Sequence, residues 1–395
     1  MSEALCLRAH PVELRVLSSV ARTGSGTTPS RSRKDYWSPA TTPWVKTGEI
    51  AFAPIKSTEE SVSDIALTEC SLPVLPIGTV LVAMYGQGKT RGQSAVLEVE
   101  ATTNQACFAI FPNESFDPYY LQYWLRYSYE KLRSASDGRG GNQSNLNGEI
   151  LGSVEVPWIH RTAQTNISAH LQSQLAAVED ARQAATAQLR ELTQLANAIV
   201  RETLAHPDTE THSLGDVLIE VKQGIGSGWA DFPVLGATRD GLAPAKEPVG
   251  KNPERYKPVT VGTVFYNPMR ILIGSIAMVD EGDAPGITSP DYVALRGREG
   301  LVDSRWFYYW LRSPDGERCI ASLARGAVRE RMLFNRLAEG EIALPPYPVQ
   351  QAASRALAEL RPMKAAVEAR LREIERLPQR LLAQVFDFEE ETEDA

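Results

Sequence analysis

Two stretches of the chain carry the apolar rhythm of long helices. From about 163 to 204 there is no Pro and no Gly, and Ala, Gln, Leu and Glu dominate. Leu171, Val178, Ala185, Leu192 and Ile199 stand seven apart, and Leu175, Leu189 and Ala196 fill the second position of the same heptad. From about 349 to 386 the same rhythm returns in Leu360, Val367, Ile374 and Leu381, with Leu357 and Leu371 in the second position. Arg182 and Lys364 fall at matching seam positions and are expected to snorkel or to meet carboxylates. Pro362 and Pro378 are expected to kink or break the second stretch. Forty helical residues span ~60 Å at 1.5 Å per residue. So narrow a seam needs a second helix, and the other stretch supplies it, giving an antiparallel pair. The alternative is a coiled coil that serves only dimerisation, which leaves the segments before each helix unexplained.

Those segments are written twice. Gly78-Thr79-Val80 returns as Gly262-Thr263-Val264, and Tyr123-Trp124-Leu125-Arg126 as Tyr309-Trp310-Leu311-Arg312. Glu155-Val156-Pro157 returns as Ala343-Leu344-Pro345, Asn147 as Asn335, and 195–204 lines up with 377–386. The offsets stay between 182 and 188, a register that chance matches would not keep. Each copy has a mixed segment rich in Gly, Pro, Thr and aromatics, in which 79–84 and 263–266 read as strands. The Tyr-Trp-Leu-Arg segments read as the opening of a short amphipathic helix.

Composition bounds the rest. At 395 residues there is room for two domains with their own cores. No run of eighteen apolar residues and no basic-then-apolar start occurs, so neither a membrane span nor a signal peptide is expected. Cys6, Cys70, Cys107 and Cys319 are far apart, and the five histidines form no ligand spacing. No metal site, no disulfide framework and a reducing cytoplasm are the plain expectation. The net charge is −8, but 387–395 alone holds six carboxylates and no base, leaving about −2 for the remainder. A nearly neutral body has room for a local basic face.

Three motifs suggest catalysis and fail on context. Ala83-Met84-Tyr85-Gly86-Gln87-Gly88-Lys89-Thr90 is one residue from a phosphate loop, but a strand-like run follows it where a helix is needed. It reads as a Gly-rich turn between strands, or as a turn that carries Lys89 and Arg91 to a phosphate backbone. Asn267-Pro268-Met269-Arg270 lacks the second Pro and the aromatic of an amino-methyltransferase motif. Asp280, Glu281 and Asp283 have no adjacent Lys and read as a solvated loop rather than a magnesium site.

Base-plus-amide clusters do recur at equivalent places. Arg31-Ser32-Arg33-Lys34 precedes Tyr36 and Trp37, and Arg139-Gly140-Gly141-Asn142-Gln143 opens a polar loop. Arg325, Arg329 and Arg331 stand at the corresponding place in the second copy. Arg and Lys suit phosphates and guanine edges, and Asn and Gln suit adenine. With Lys46, Lys89, Arg91, Lys222, Arg239 and Arg270 these are the candidate DNA contacts.

The chain resembles the specificity subunits of type I restriction-modification systems. The resemblance runs through Gly24-Ser25-Gly26-Thr27-Thr28-Pro29, Pro43-Trp44-Val45-Lys46-Thr47-Gly48-Glu49-Ile50 and Gly78-Thr79-Val80-Leu81-Val82-Ala83-Met84-Tyr85-Gly86. It continues in Arg91-Gly92, Thr103-Asn104-Gln105-Ala106 and Gln143-Ser144-Asn145-Leu146-Asn147, then in Tyr266-Asn267-Pro268-Met269-Arg270 and Ser289-Pro290-Asp291-Tyr292-Val293. It covers nearly the whole chain except the tail. The family's Glu-Gln pair at each long-helix start is replaced by Ala163-Gln164 and Gln350-Gln351, so that interaction is expected to be changed.

The resemblance implies an α+β fold, with two pseudo-repeated mixed α/β target-recognition domains separated by two long helices packed as an antiparallel coiled coil. The expected boundaries are a first domain over 1–160, a spacer helix over 161–206, a second domain over 207–347, a spacer helix over 348–387 and an acidic, disordered tail over 388–395. It also implies a non-catalytic bacterial, cytoplasmic protein. Each domain would read half of an asymmetric split site on double-stranded DNA. The helices would set the spacer and dock two methyltransferase subunits, and restriction subunits would join the assembly. S-adenosylmethionine and ATP with Mg would belong to those partners, with no cofactor in this chain. The alternatives are a stand-alone methyltransferase or nucleotide hydrolase, which would itself bind methyl donor or ATP, and a helical adaptor without DNA preference.

Overall fold

A computed structural model describes residues 5–86, 88–137, 145–324 and 331–388. By contacts the chain divides into two compact units, Met1–Arg182 with Arg372–Ala395, and Gln183–Leu371. Both boundaries fall inside the long helices, so each unit holds a head and parts of both helices. The helices run over Arg161–Leu204 and Tyr347–Phe386.

The heads share one frame. In the first, a four-stranded antiparallel sheet has the order Thr23–Ser25, Cys107–Ile110, Val80–Ala83, Ser94–Val96. In the second the order is the same, with Leu218–Glu220, Val293–Gly297, Thr263–Tyr266 and Ile276–Val279. A two-stranded ribbon leads into each long helix, Glu13–Val16 with Glu155–Trp158 and Glu210–Ser213 with Glu341–Leu344. The heads diverge outside this frame. Thr42–Val45 pairs with Glu60–Val62 and, in parallel, with Thr102–Thr103 in the first. The second has instead a hairpin of Leu235–Thr238 and Gly241–Pro244.

In each head a buried glutamine ties the long helix to this frame. Gln164 is fully buried; its Oε1 accepts the Asp117 N–H at 2.8 Å, and its amide donates to the carbonyls of Ser115 and Ile159, both at 2.8 Å. Gln350 is equally buried and repeats the clamp, accepting from the Asp303 N–H at 2.9 Å and donating to Leu301 and Pro345 at 3.0 and 2.7 Å. The glutamine at the second helix start is therefore Gln350, paired with Val349 rather than with Gln351. Asp117 and Asp303 meanwhile cap the short helices Pro118–Tyr127 and Ser304–Leu311.

Two readings are corrected by these hydrogen bonds. The Tyr-Trp-Leu-Arg segments close the short helices rather than open them, because the capping aspartates lie six residues upstream. The counterpart of Asn147 is not Asn335. Leu146 N–H bonds the Met84 carbonyl as Met332 N–H bonds that of Pro268, which sets Asn147 opposite Leu333.

Each unit completes its core with both helices. In the first, Ile167 and Leu171 join Leu382, Val385 and Phe386, with Leu175 and Leu381 at the edge. In the second, Ala196 and Val200 join Ala353, Leu357 and Leu360, with Leu192 and Ile199 at the edge. There Gln188 bonds Arg370, so the helices run antiparallel. Val178, Leu189, Val367 and Leu371 are half-buried, and Ile374 is buried. At the far end Leu382, not Leu381, is fully buried, because a 3.6-residue turn drifts against a strict seven-residue repeat. Arg182 meets Glu179 at 2.7 Å and Lys364 meets Glu368 at 3.6 Å.

The second helix is continuous through Pro362 and Pro378, contrary to the expected break. Pro362 lies on the exposed side, where water takes up the carbonyl it frees, while Leu357 and Leu360 hold the other side in the core.

Two outcomes test this account. Gln164→Leu should leave an N–H and two carbonyls buried without partners, costing roughly 3 kcal/mol in urea unfolding; a loss below about 1 kcal/mol contradicts the clamp. Pro362→Ala should raise the thermal midpoint, since the helix regains a hydrogen bond without changing course; a lowered midpoint means that the proline is needed where it stands.

Candidate nucleic-acid interface

The first head gathers Arg31 and Lys46 on one carboxylate. Arg31 Nη1 lies 2.5 Å from Glu60, and Lys46 Nζ lies 3.2 Å from Glu60 and 2.5 Å from Glu59. The Arg31 guanidinium stacks 3.7 Å above the Trp37 ring, and Trp37 packs edge-on against Trp44. Arg33 is used differently. Its Nε and Nη2 engage both oxygens of Asp35, Nη2 also meets Glu69 at 3.2 Å, and the group lies over Tyr36. Arg33 therefore braces the loop, while Arg31 keeps outward donors on a half-exposed side chain. Lys34 is exposed. The expected basic patch is thus a lattice of alternating charge, and its aromatic props and acids (Trp37, Trp44, Glu60, Glu69) were not among the candidates. Only Trp37, close behind the arginines in sequence, signalled them.

These ion pairs shift titration. The Arg31 hydrogen bond, reinforced by Lys46, holds the Glu60 carboxyl below the usual carboxylate range despite some burial. The Arg33 hydrogen bond does the same for Asp35.

Lys89 and Arg91 sit on the turn joining the antiparallel strands Val80–Ala83 and Ser94–Val96, so the phosphate-loop-like segment is a hairpin turn. Lys89 is exposed and its carbonyl accepts the Tyr129 hydroxyl at 2.6 Å. Arg91 is buried, at 9% exposure, with its carbonyl held by Arg133. The candidates Arg139, Asn142, Gln143, Arg325 and Arg329 lie outside the described residues.

In the second head, the turn between Thr263–Tyr266 and Ile276–Val279 brings three candidates together. Arg270 is on it and exposed; the Arg239 side chain packs beside Gly274; Arg331, paired with Asp291 at 2.9 Å, precedes the Met332 that bonds Pro268. Lys222 is apart from them, 3.5 Å from Glu220.

The carboxylates of 280–283 are a correction. Asp280 is buried, not solvated, and both its oxygens take hydrogen bonds from Arg305. Asp283 pairs with Arg361 of the second long helix. Two helix-borne arginines thus pair with the turn and fasten it. Among the described residues no cluster of three His, Cys, Asp or Glu side chains could hold a metal. No helix among them is long and apolar enough to cross a membrane.

Two duplicated heads, each clamped to a long helix, form a fold shared with solved chains of type I systems. The chain aligns over 95% of its length with 98% of a chain from a type I restriction-modification system solved for its assembly and conformational transition, at TM-score 0.65 and 17% identity. It aligns over 99% with the whole type I S subunit from M. genitalium, at TM-score 0.53 and 13% identity. Residues 10–185 match the type I restriction modification DNA specificity domain. Similarity in sequence to the curated specificity subunits is confined to part of the chain. It is 21% identical over 39% of its length to the EcoR124I/EcoR124II specificity subunit of Escherichia coli, and 27% identical over 40% to the MjaIX specificity subunit of Methanocaldococcus jannaschii. The matched stretches span 39% and 36% of those relatives' own lengths.

The charge lattice yields a check. In Arg31→Ala the Glu60 titration, followed by carboxyl carbon NMR, should move up toward the ordinary glutamate value, while Arg33→Ala should move Asp35 and leave Glu60 in place. Unchanged Glu60 in Arg31→Ala refutes the assignment.

Proposed function

We propose that this chain is the sequence-reading subunit of a type I restriction-modification complex. The observation that carries the reading is the repetition of one clamped frame, with the same sheet order and the same buried glutamine, under two different sets of surface loops. A repeated frame presents two reading faces, and unlike loops give unlike half-sites. The long helices set the number of base pairs between the halves, at ~3.4 Å of rise each. They also dock two methyltransferase subunits, and restriction subunits join that assembly. S-adenosylmethionine and ATP with Mg belong to those partners, and this chain performs no chemistry. The complex works in the bacterial cytoplasm.

A genome-wide map of methylated bases, with and without the gene, tests the role. One split, asymmetric motif should lose its methylation when the gene is removed. Exchanging residues 1–160 for another head should then alter one half of that motif only; a change in both halves overturns the division of labour.

A further inference from the structure

The second head carries an apolar projection that neither the core nor the clamp explains. Met269, Leu272 and Ile273 are 51%, 58% and 65% exposed, all on the turn between Thr263–Tyr266 and Ile276–Val279. Leu333, also exposed, stands beside it through the Met332–Pro268 hydrogen bond. Apolar side chains grouped in this way on a surface mark an interaction site.

The turn is rigid. Ile271 is buried between its exposed neighbours. Asn267 Oδ1 accepts the Met269 N–H at 2.9 Å, and the Gly274 N–H bonds the Ile271 carbonyl at 2.9 Å. Gly274 closes the turn in the left-handed region, and Arg312 Nη1 holds the carbonyls of Gly274 and Ile276 at 3.3 and 2.8 Å. The exposed groups are therefore presented in one conformation, at little entropic cost on binding.

We propose that this tip reads thymine methyl groups in the major groove of the half-site bound by the second head. The proposal rests on the DNA-reading role above. Three features select this occupant. The rim is cationic: Arg270 and Arg239 are exposed, and no ion pair engages either among the described residues. A two-stranded β-ribbon fits the major groove. Aliphatic side chains offer no donor or acceptor, and the C5-methyl of thymine is the one apolar feature that the four bases show there. The corresponding turn of the first head carries Tyr85 and Lys89 instead, so this reading belongs to one half-site.

The test uses the chain assembled with its methyltransferase subunits and a duplex carrying the mapped site. Each thymine in the second head's half-site is replaced singly by deoxyuridine, which lacks only the methyl. Binding should weaken about fourfold for each contacted methyl, the factor for one apolar carbon left unburied. The variant Leu272→Ser/Ile273→Ser, whose exposed positions leave the thermal midpoint unchanged, should bind the thymine duplex more weakly and no longer distinguish uracil. Site preference that is indifferent to uracil overturns this inference alone, as does a half-site without thymine. A complex with no preference over unrelated duplex overturns the DNA-reading role as well. A double variant that sheds its methyltransferase subunits makes the tip a protein-docking surface, and the inference fails.

Discussion

A long helix leaving a domain has a weak point at its first turn, where four backbone N–H groups lack helical partners and the preceding chain must be turned. Here the turn is governed by a glutamine whose three hydrogen bonds are all internal. Gln164 joins the strand end at Ile159 to the loop at Ser115 and Asp117; Gln350 joins Pro345 to Leu301 and Asp303. Each bond in isolation adds about 1 kcal/mol, but a lost partner would strand buried polar groups at greater cost. The direction in which each helix leaves its head is thereby fixed. Asp117 and Asp303 link this clamp to the short helices that pack on the sheets, so a shift at the helix start would disturb the cap as well.

The helices repay this anchorage by finishing the cores. Phe386 lies among Tyr120, Trp124 and Tyr127 of the first head, and Thr203 accepts the indole N–H of Trp306 in the second, at 2.9 Å. The two docking surfaces differ in kind. The first is aromatic; the second adds the Arg305–Asp280 and Arg361–Asp283 pairs. A buried pair of this sort contributes little net stability but penalises any arrangement that separates it. It suits a junction that must hold one orientation.

Much of the frame was legible in the sequence because it is periodic. The heptads located both long helices to within two residues of their starts, and the constant offset exposed the repeat. What escaped depends on atoms distant in sequence. The partner of Arg31 is 29 residues away, so this candidate reads as a free charge, and that of Asp280 is 25 away, so its turn reads as solvated. Pro362 reads as a breaker because the pattern does not show which side of the helix faces water. Gln351 and Asn335 looked like counterparts because a repeat that tolerates insertions loses its register by a residue or two, and only the hydrogen bonds restore it. The exposure of Met269, Leu272 and Ile273 is not legible either, since aliphatic composition does not say which side chains reach water.

The two heads show how a shared frame supports unlike surfaces. The residues that repeat are those whose polar atoms are buried, where a substitution strands a donor or acceptor. Among the residues that differ are those on the outer turns, where Arg31 rests on Trp37 in one head and an aliphatic tip projects in the other. A change at an exposed tip position such as Leu272 or Ile273 touches neither clamp nor core, and its cost in stability is that of a surface substitution, within about 0.5 kcal/mol. Separation of this kind lets the outer turns alter their chemistry while the frame keeps its geometry. The arrangement requires the frame to be rigid, because a contact displaced by an ångström loses most of its selectivity. The buried glutamines, the capping aspartates and the arginine pairs supply that rigidity from the interior, leaving exposed positions of the outer turns open to change.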